Sequence, residues 1–326
     1  MNNLIKFMAL GVTLAAALTA SAFAGDYPER PITIVVPYGP GGAADLSARM
    51  IAGAAPAYLG QPILAVNKTG AAGVVGSNFV VNSPADGYTL LSARVGSQMG
   101  VPAMNKTIPY NWDDYTFLGL IEVNPFVLVV NPNSGIKTFA DFEAKIKGGA
   151  EMSYSSAGVG TLLHTATAVM ANAMGSDFEK LTHVPYKGGG KARAAVVGEQ
   201  VDFSWQNLSA VAGALEAGQL TALAVTTTKR QSIIPDVPTA AEVGHPGLEK
   251  IIGWSAIYGP PGLPADVVAK WEETLQALKK DRAWNRMTKG LGNIVDIRSP
   301  ADTKAYVEAQ YKDFDEALNK LGLRIE

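Results

Sequence analysis

The sequence predicts an α/β fold in which mainly parallel sheets are flanked by helices and the chain is divided into two halves. Short β-branched runs alternate with segments whose apolar residues recur at helical spacing, which is typical of a parallel sheet with covering helices. The alternation starts again near Phe126, and a chain of 326 residues is long enough for two such units.

The first unit contains three predicted strands and two predicted helices. Its strands are ITIVVPY (32–38), PILAVNK (62–68) and GYTLLSARV (87–95), and its helices lie at 43–59 and, after a glycine turn, at 70–83. Since a helix separates each strand from the next, we expect the strands to run parallel.

The second unit repeats this order with more strands. Thr138 is a suitable N-cap for its first helix. The predicted elements are a strand at 125–134, a helix at 138–147, strand–glycine loop–helix segments at 152–174 and 181–200, strands at 201–206 and 220–228, and charged helices at 265–281 and 300–322.

The first 24 residues have the pattern of a secretory signal peptide. Lys6 precedes a short apolar run, and Ala22-Phe23-Ala24 follows it as a small-residue cleavage site. We therefore expect export and cleavage after Ala24. An uncleaved anchor is the alternative, although the apolar run is short for a membrane span.

Composition excludes several classes of function. The chain has no cysteine, which rules out thiolate metal sites and cysteine nucleophiles. The 27 Lys and Arg against 29 Asp and Glu form no basic stripe, so no nucleic-acid partner is expected. His164, His183 and His245 lack metal-ligand spacing, and no nucleotide-binding loop, dinucleotide fingerprint or Gly-x-Ser-x-Gly motif occurs. We expect no metal, no cofactor and no catalytic residues.

Three predicted strand–helix loops carry glycines at the helix entrance, at 40–42, 158–160 and 188–190. Main-chain N–H groups at a helix start stabilise anions, and such loops gather at the carboxyl ends of parallel strands. The pattern suits an anion held between two domains. Glycine is also the usual residue of tight turns, so turn chemistry alone remains the alternative.

Motifs along nearly the whole chain resemble the Bug family, the extracytoplasmic solute receptors of tripartite tricarboxylate transporters. The motifs are YPERPITIVVPYGPGGAADLSAR, LGQPILAVNKTGAAGVVGSN, ADGYTLL, SAGVGTLLH, VPYKGGGKA, GEQVD, LTALAVTTTKR, IPDVPTAAEVG and GWSAIYGPPGLP. The resemblance implies a two-lobed, type II-like periplasmic binding protein fold with the ligand in the interlobe cleft. Lobe 1 would comprise residues 26–126 and 228–326, and lobe 2 residues 127–227.

In that family one carboxylate is commonly held by the loop matching residues 155–161, and the far end of the ligand meets the loop matching 38–45. Arg94, Tyr38 and Trp205 are added here as residues suited to the ligand. The expected ligand-binding residues are Tyr38, Gly41, Gly42, Ala43, Asp45, Arg94, Ser155, Ser156, Ala157, Gly158, Gly160, Thr161, His164 and Trp205.

Four of these residues have simpler interpretations. Asp45 suits the first turn of a helix, where the dipole favours a negative charge. Arg94 could bind a carboxylate through two hydrogen bonds, or could be a solvated or paired arginine. His164 could be a packed or capping histidine, and Trp205 could belong to the core or stack on an aromatic ligand.

The predicted function is that of a periplasmic receptor, not an enzyme. It would bind a small organic acid, a dicarboxylate and preferably an aromatic one such as a benzenedicarboxylate, and deliver it to integral membrane transporter subunits. A monomer is expected. An exported enzyme on a two-lobed scaffold and a ligand-sensing subunit of a signalling system are the alternatives.

Overall fold

Ten strands form one continuous curled sheet with helices on its faces in the computed structural model, which describes residues 27–324. The predicted signal peptide, residues 1–24, lies outside the described residues. No helix in the described part is both long enough and apolar enough to cross a bilayer.

The strand order is β2-β1-β3-β9-β4-β7-β5-β6, with β10 and β8 also paired to β4. The strands are β1 (Ile32–Val36), β2 (Ile63–Asn67), β3 (Thr89–Arg94), β4 (Thr116–Val130), β5 (Met152–Ser156), β6 (Leu181–Pro185), β7 (Phe203–Asn207), β8 (Thr221–Val225), β9 (Ile252–Gly259) and β10 (Ile294–Arg298). The helices are α1 (Ala43–Ala54), α2 (Pro56–Leu59), α3 (Val74–Val81), α4 (Val101–Met104), α5 (Phe139–Lys147), α6 (Leu162–Ala173), α7 (Gly189–Val197), α8 (Leu208–Glu216), α9 (Ala265–Lys280), α10 (Arg282–Gly290) and α11 (Pro300–Lys320).

Strand β4 belongs to both parts of the sheet. Its residues 116–125 pair with β9 and partly with β10, whereas residues 126–130 pair with β7 and β8. We call β1–β3, β9, β10 and residues 116–125 the first half-sheet, and β5–β8 and residues 126–130 the second half-sheet. The expected lobe boundary at 126–127 lies beside this change of partners.

Each half-sheet has a parallel edge, β2-β1-β3 in the first and β6-β5-β7 in the second. The centre differs from the expected mainly parallel pairing, because β4 is antiparallel to β7, β8, β9 and β10. A strand that leaves one half-sheet for the other meets partners that return in the opposite direction. The sheet is therefore mixed.

A local signal accounts for the start of α5. Thr138 is the N-cap of α5, as predicted, and forms a capping box in which its hydroxyl accepts from the Asp141 N–H and the Asp141 carboxylate accepts from the Thr138 N–H.

The core between sheet and helices is rich in aromatic side chains, and Trp205, on β7, is fully buried there.

Candidate functional site

Loops of the two half-sheets meet through main-chain atoms. The N–H of Gly39, after β1, donates to the carbonyl of Lys187, after β6, at 2.9 Å. A Cβ atom on Gly190 would lie 2.4 Å from the Pro40 carbonyl oxygen, and one on Gly42 would lie 3.1 Å from the Gly190 nitrogen. Glycine is thus required for this close approach of the two loops.

A small cavity of about 40 Å³, here called the inner cavity, lies behind this contact. Residues from the starts of four helices line it: Ala43 of α1, Leu162 of α6, Gly189 of α7 and Asn207, the N-cap of α8. Within residues 27–324 the first two N–H groups of α1 and of α6 have no hydrogen-bond acceptor. Four converging helix N-termini make this cavity favourable for an anion.

Arg94 supplies the one charged side chain among the described residues that line the inner cavity. It ends β3 and is 4% exposed. Its Nη2 donates to the Asn207 Oδ1 at 2.9 Å, and its Nη1 donates to the Asn124 Oδ1 at 2.5 Å and to the Ser255 hydroxyl. It forms no salt bridge with any described residue. Burial lowers the pKa of Arg94 to about 10, so the guanidinium stays charged at neutral pH.

A larger apolar cavity of about 450 Å³, here called the outer cavity, adjoins the inner one, and both are lined by Tyr38 and Ala157. Its walls come from residues 70–74, from both ends of α4, from the loop after β5 and from residues 185–187. The buried Tyr38 hydroxyl lies beside Ser97 and makes no hydrogen bond of full geometry within the described chain. Burial raises its pKa to about 12, although Ser97 and Arg94 act in the opposite direction, so the hydroxyl remains neutral.

The loop after β5 reaches both cavities, since Thr161 lines the inner one and Gly158 and Gly160 line the outer one. The Ser156 hydroxyl lies 3.1 Å from the Gly158 nitrogen, and the Thr161 hydroxyl donates to the Gly158 carbonyl at 2.7 Å. Ser155 donates to the Ala192 carbonyl of α7 at 2.8 Å. These bonds hold the loop and the start of α7 together.

Two imidazoles support this loop from behind. The His183 Nε2 lies 2.6 Å from the Ser156 hydroxyl, and the Gly160 N–H donates to the His164 Nδ1 at 3.4 Å. The rings are 4.4 Å apart. Burial lowers the pKa of both histidines to about 4, and for His164 the neighbouring His183 contributes to this lowering. His164 thus supports the loop after β5 and does not line either cavity. The contact of His183 with Ser156 was not predicted.

The structure does not bring every expected residue to a cavity. The Asp45 carboxylate accepts from the Gly41 N–H at 3.0 Å and from Arg49 and Asn67. Burial raises its pKa, but these hydrogen bonds, from Arg49 first, outweigh burial and leave the pKa below its ordinary value. Asp45 and Gly41 therefore hydrogen-bond to each other rather than face a cavity. Trp205 is buried in the core.

The sequence matches the model of the "Tripartite tricarboxylate transporter family receptor", TctC, over residues 47–323. The chain belongs to this family. BugT of Bordetella pertussis is 28% identical over 330 residues, which cover 99% of this chain and 100% of that protein.

Solved structures of the family have the same two-lobed fold. The periplasmic binding protein BugD superposes with a TM-score of 0.87 at 29% identity, over 92% of this chain and 100% of that one. Rpa4515 of R. palustris, solved with adipate, superposes with a TM-score of 0.87 at 29% identity, over 91% of this chain and 99% of that one. MatC of Rhodopseudomonas palustris, solved with malate, superposes with a TM-score of 0.83 at 27% identity, over 89% of this chain and 99% of that one. The predicted fold class is confirmed, and the family's members are solute-binding receptors rather than enzymes.

Proposed function

We propose that the protein is a periplasmic receptor that binds a small organic acid with two acidic groups and delivers it to a tripartite tricarboxylate-type membrane transporter. The observation that carries this proposal is the inner cavity, where a buried, charged Arg94 that contacts no carboxylate directly lines the wall together with four helix N-termini. A carboxylate is the complement of such a cavity.

One carboxylate of the ligand would occupy the inner cavity. Three of the five N–H groups of Arg94 already have acceptors, which leaves the Nε–H and one Nη2–H for two hydrogen bonds to the same carboxylate. The free N–H groups at the starts of α1 and α6 would bind it from the sides. Ala43, Gly42 and Thr161 would line this end of the ligand.

The body of the acid would lie in the outer cavity. Its apolar walls suit an aliphatic or an aromatic body. The Tyr38 side chain lines both cavities, where its hydroxyl would donate to a polar group of the ligand. Similarity to proteins solved with malate and with adipate supports a dicarboxylate. We retain an aromatic dicarboxylate as the preferred class, since the outer cavity is large enough for a ring.

Ligand contacts with both half-sheets would favour the closed form, which the transporter would then recognise. In this proposal lobe 1 comprises residues 26–126 and 228–326, lobe 2 comprises 127–227, and the signal peptide is removed after Ala24. The receptor would act as a monomer.

The test measures thermal stabilisation by a panel of aliphatic and aromatic dicarboxylates, their monocarboxylate analogues and a neutral sugar. A ligand at 100 times its Kd adds about 2.7 kcal/mol to the free energy of unfolding, so the midpoint should rise with acid concentration. Stabilisation by the sugar and by none of the acids would contradict the proposal.

Substitution of Arg94 tests where the acid binds. Arg94→Met should weaken the best dicarboxylate about 10- to 100-fold, because a hydrogen bond to a charged group contributes about 1.5–3 kcal/mol. The monocarboxylate analogue should lose less if its one carboxylate can bind at the loop after β5. Arg30→Met is the control, since Arg30 is exposed and pairs with Asp86. Equal Kd values for wild type and Arg94→Met, measured by calorimetry, would remove Arg94 from the site.

A further inference from the structure

A buried carboxylate lies behind Arg94, outside the cavity wall. Glu122, on β4, is fully buried and accepts hydrogen bonds from four side chains on separate segments. The donors are Ser47 of α1, Ser255 of β9 at 2.9 Å, Asn124 of β4 at 3.2 Å and Asn293, before β10, at 2.8 Å. One side chain thus connects the helix that faces the inner cavity with the strands beneath it.

The direction of these hydrogen bonds follows from the chemistry of a carboxylate, whose oxygens only accept. The Asn124 amide therefore turns its NH₂ group to Glu122 and to the Asn293 Oδ1, which is 2.9 Å away. Its Oδ1 is left facing the Arg94 Nη1 at 2.5 Å. Glu122 thereby makes Asn124 an acceptor for the guanidinium.

Ser255 is oriented in the same way. Its hydroxyl has one proton, and the acceptors within reach are the Glu122 Oε1 at 2.9 Å, the Ser47 hydroxyl at 2.9 Å and the Asn124 Oδ1 at 3.3 Å. A charge-assisted hydrogen bond to the carboxylate is the strongest of these. The lone pairs of Ser255 are then available to the Arg94 Nη1.

We infer that Glu122 is a positioning residue, which fixes the guanidinium of Arg94 through Asn124 and Ser255 and so sets the preference of the site for a dicarboxylate. This inference rests on the proposed function, in which Arg94 binds one carboxylate of the ligand. Both N–H groups of Nη1 are held by the oriented acceptors, and the edge with Nε is left for the ligand. Glu122 also counteracts the effect of burial on the pKa of Arg94.

Glu122→Gln reverses part of this arrangement. The side-chain oxygen of the introduced glutamine accepts from Ser47 and Ser255, and its NH₂ group then faces the Asn293 amide, which must rotate to accept. Asn293 consequently donates to Asn124, and the rotated Asn124 presents NH₂ to Arg94. We expect Glu122→Gln to weaken dicarboxylate binding at least fivefold, with a smaller loss for the monocarboxylate analogue.

Glu242→Gln is the matched control for this substitution. Glu242 is exposed and pairs with Arg230, so the same change of side chain is made away from both cavities. Its Kd values for the two acids should equal those of the wild type.

The double variant Glu122→Gln/Asn124→Asp supplies the rescue. The aspartate introduced at position 124 offers Arg94 an acceptor that cannot rotate into a donor, and the number of buried charges is restored. The double variant should recover most of the lost affinity and the preference for the dicarboxylate. A merely structural role of Glu122 would lower the melting temperature without changing the ratio of the two Kd values.

Nuclear magnetic resonance gives a readout that does not need a ligand. The Arg94 Nε–H signal, assigned by its absence in Arg94→Met, should be sharp in the wild type, broadened in Glu122→Gln and sharp again in the double variant. If Glu122→Gln is not recovered folded, Ser255→Ala replaces it, since it removes one acceptor from Nη1; a two- to fivefold loss of dicarboxylate affinity is expected.

Two results would overturn the inference. The first is that Glu122→Gln, or Ser255→Ala in its place, has the same Kd values for both acids as Glu242→Gln. The second is that the double variant binds the dicarboxylate no more tightly than Glu122→Gln does. Failure of the proposed function has a separate signature, because Arg94→Met would then bind the acids as tightly as the wild type. The resonance measurement would still show whether Glu122 fixes Arg94.

Discussion

Arg94 and Tyr38 have in common that each brings a buried donor to the inner cavity without a complete set of acceptors. Unpaired buried donors destabilise a folded protein by about 1–3 kcal/mol each, so a ligand that accepts hydrogen bonds from them gains affinity. For Arg94 the incomplete set is two N–H groups, and for Tyr38 it is the hydroxyl. These unpaired donors lower the stability of the empty protein, and hydrogen bonds from them to a ligand would contribute to its binding free energy.

Tyr38→Phe should separate these two effects. The empty protein should become more stable by about 1 kcal/mol, since a buried hydroxyl without a partner is removed. Affinity for the acid should fall about 3- to 10-fold through the loss of one neutral hydrogen bond. Thermal unfolding without ligand and calorimetry with it measure the two quantities.

Tyr258→Phe is the matched control for Tyr38→Phe. Tyr258 is fully buried and its hydroxyl also has no partner among the described residues, but it does not line either cavity. It should give the gain in stability without the loss of affinity. Equal affinities in both variants would mean that the Tyr38 hydroxyl does not contact the ligand.

The sequence predicted part of the site at this scale. Arg94 was expected beside the ligand because it ends a strand whose carboxyl end faces the cleft. Glu122, Asn124 and Asn207 were not predicted, since their role depends on four segments that only the folded chain brings together. One signal was available: Glu122 and Asn124 are polar residues in the apolar run LIEVNPFVLVV, and buried polar residues need partners.

Glycine at the start of α7 is the feature that decides how closely the two half-sheets approach. Gly190 has a helical backbone conformation, so Ala is compatible with the helix and even favours it. Its Cβ would lie 2.4 Å from the Pro40 carbonyl oxygen, which cannot move without α1 and its loop. The substitution therefore acts on the contact between the loops rather than on the helix.

Gly190→Ala should lower ligand affinity about tenfold, equivalent to about 1.4 kcal/mol, because the closed form is disfavoured. Gly213→Ala is the control: Gly213 lies on α8, is exposed and has open space where a Cβ would be. It should raise stability by about 0.5–1 kcal/mol and leave the Kd unchanged. A Gly190→Ala variant with wild-type Kd would show that the ligand does not need this contact.

Elements of the two units were predicted where the signal is local. The spacing of apolar residues and the glycines in the turns predict strands β1, β2 and β3 and their helices. The first part of β4 and the whole of β10 were not predicted. TFLGLIEVN has glycine and polar residues inside the strand, and β10 is a five-residue strand in which one residue is fully buried and three are half-buried. Both form because distant partners pair with them.

At the scale of the whole molecule, β4 gives both half-sheets a shared strand, and the chain returns beside it after β8. The N–H of Thr226 donates to the carbonyl of Phe126 at 2.9 Å, so the two crossing segments are bonded to each other. A rotation of the half-sheets would act on these few residues. We therefore expect a hinge at 125–127 and 225–227.

The histidine pair makes global stability depend on pH. Both pKa values are lowered from 6.5 to about 4, so between these limits the unfolded chain binds more protons than the folded one. The contribution is complete above pH 6.5 and is lost as the pH falls towards 4. Allowing for solvent screening, the loss between pH 7 and pH 5 is of the order of 1 kcal/mol per histidine.

Chemical denaturation at a series of pH values measures this slope. The double variant His164→Gln/His183→Gln should have a flatter profile between pH 7 and pH 5 than the wild type. Gln at 183 can still hydrogen-bond to Ser156, so the loop after β5 keeps its support. Identical profiles for the two proteins would show that neither histidine is held neutral by the fold.

The main-chain contact between Gly39 and Lys187 bears on how new specificities can arise. In the proposed function, closing would depend there on the absence of side chains, and selection of the acid would depend on the side chains of the cavity wall. After gene duplication, one copy could then exchange Arg94 or Tyr38 and acquire another ligand without a compensating change in the closing loops. Few substitutions would separate receptors for different acids.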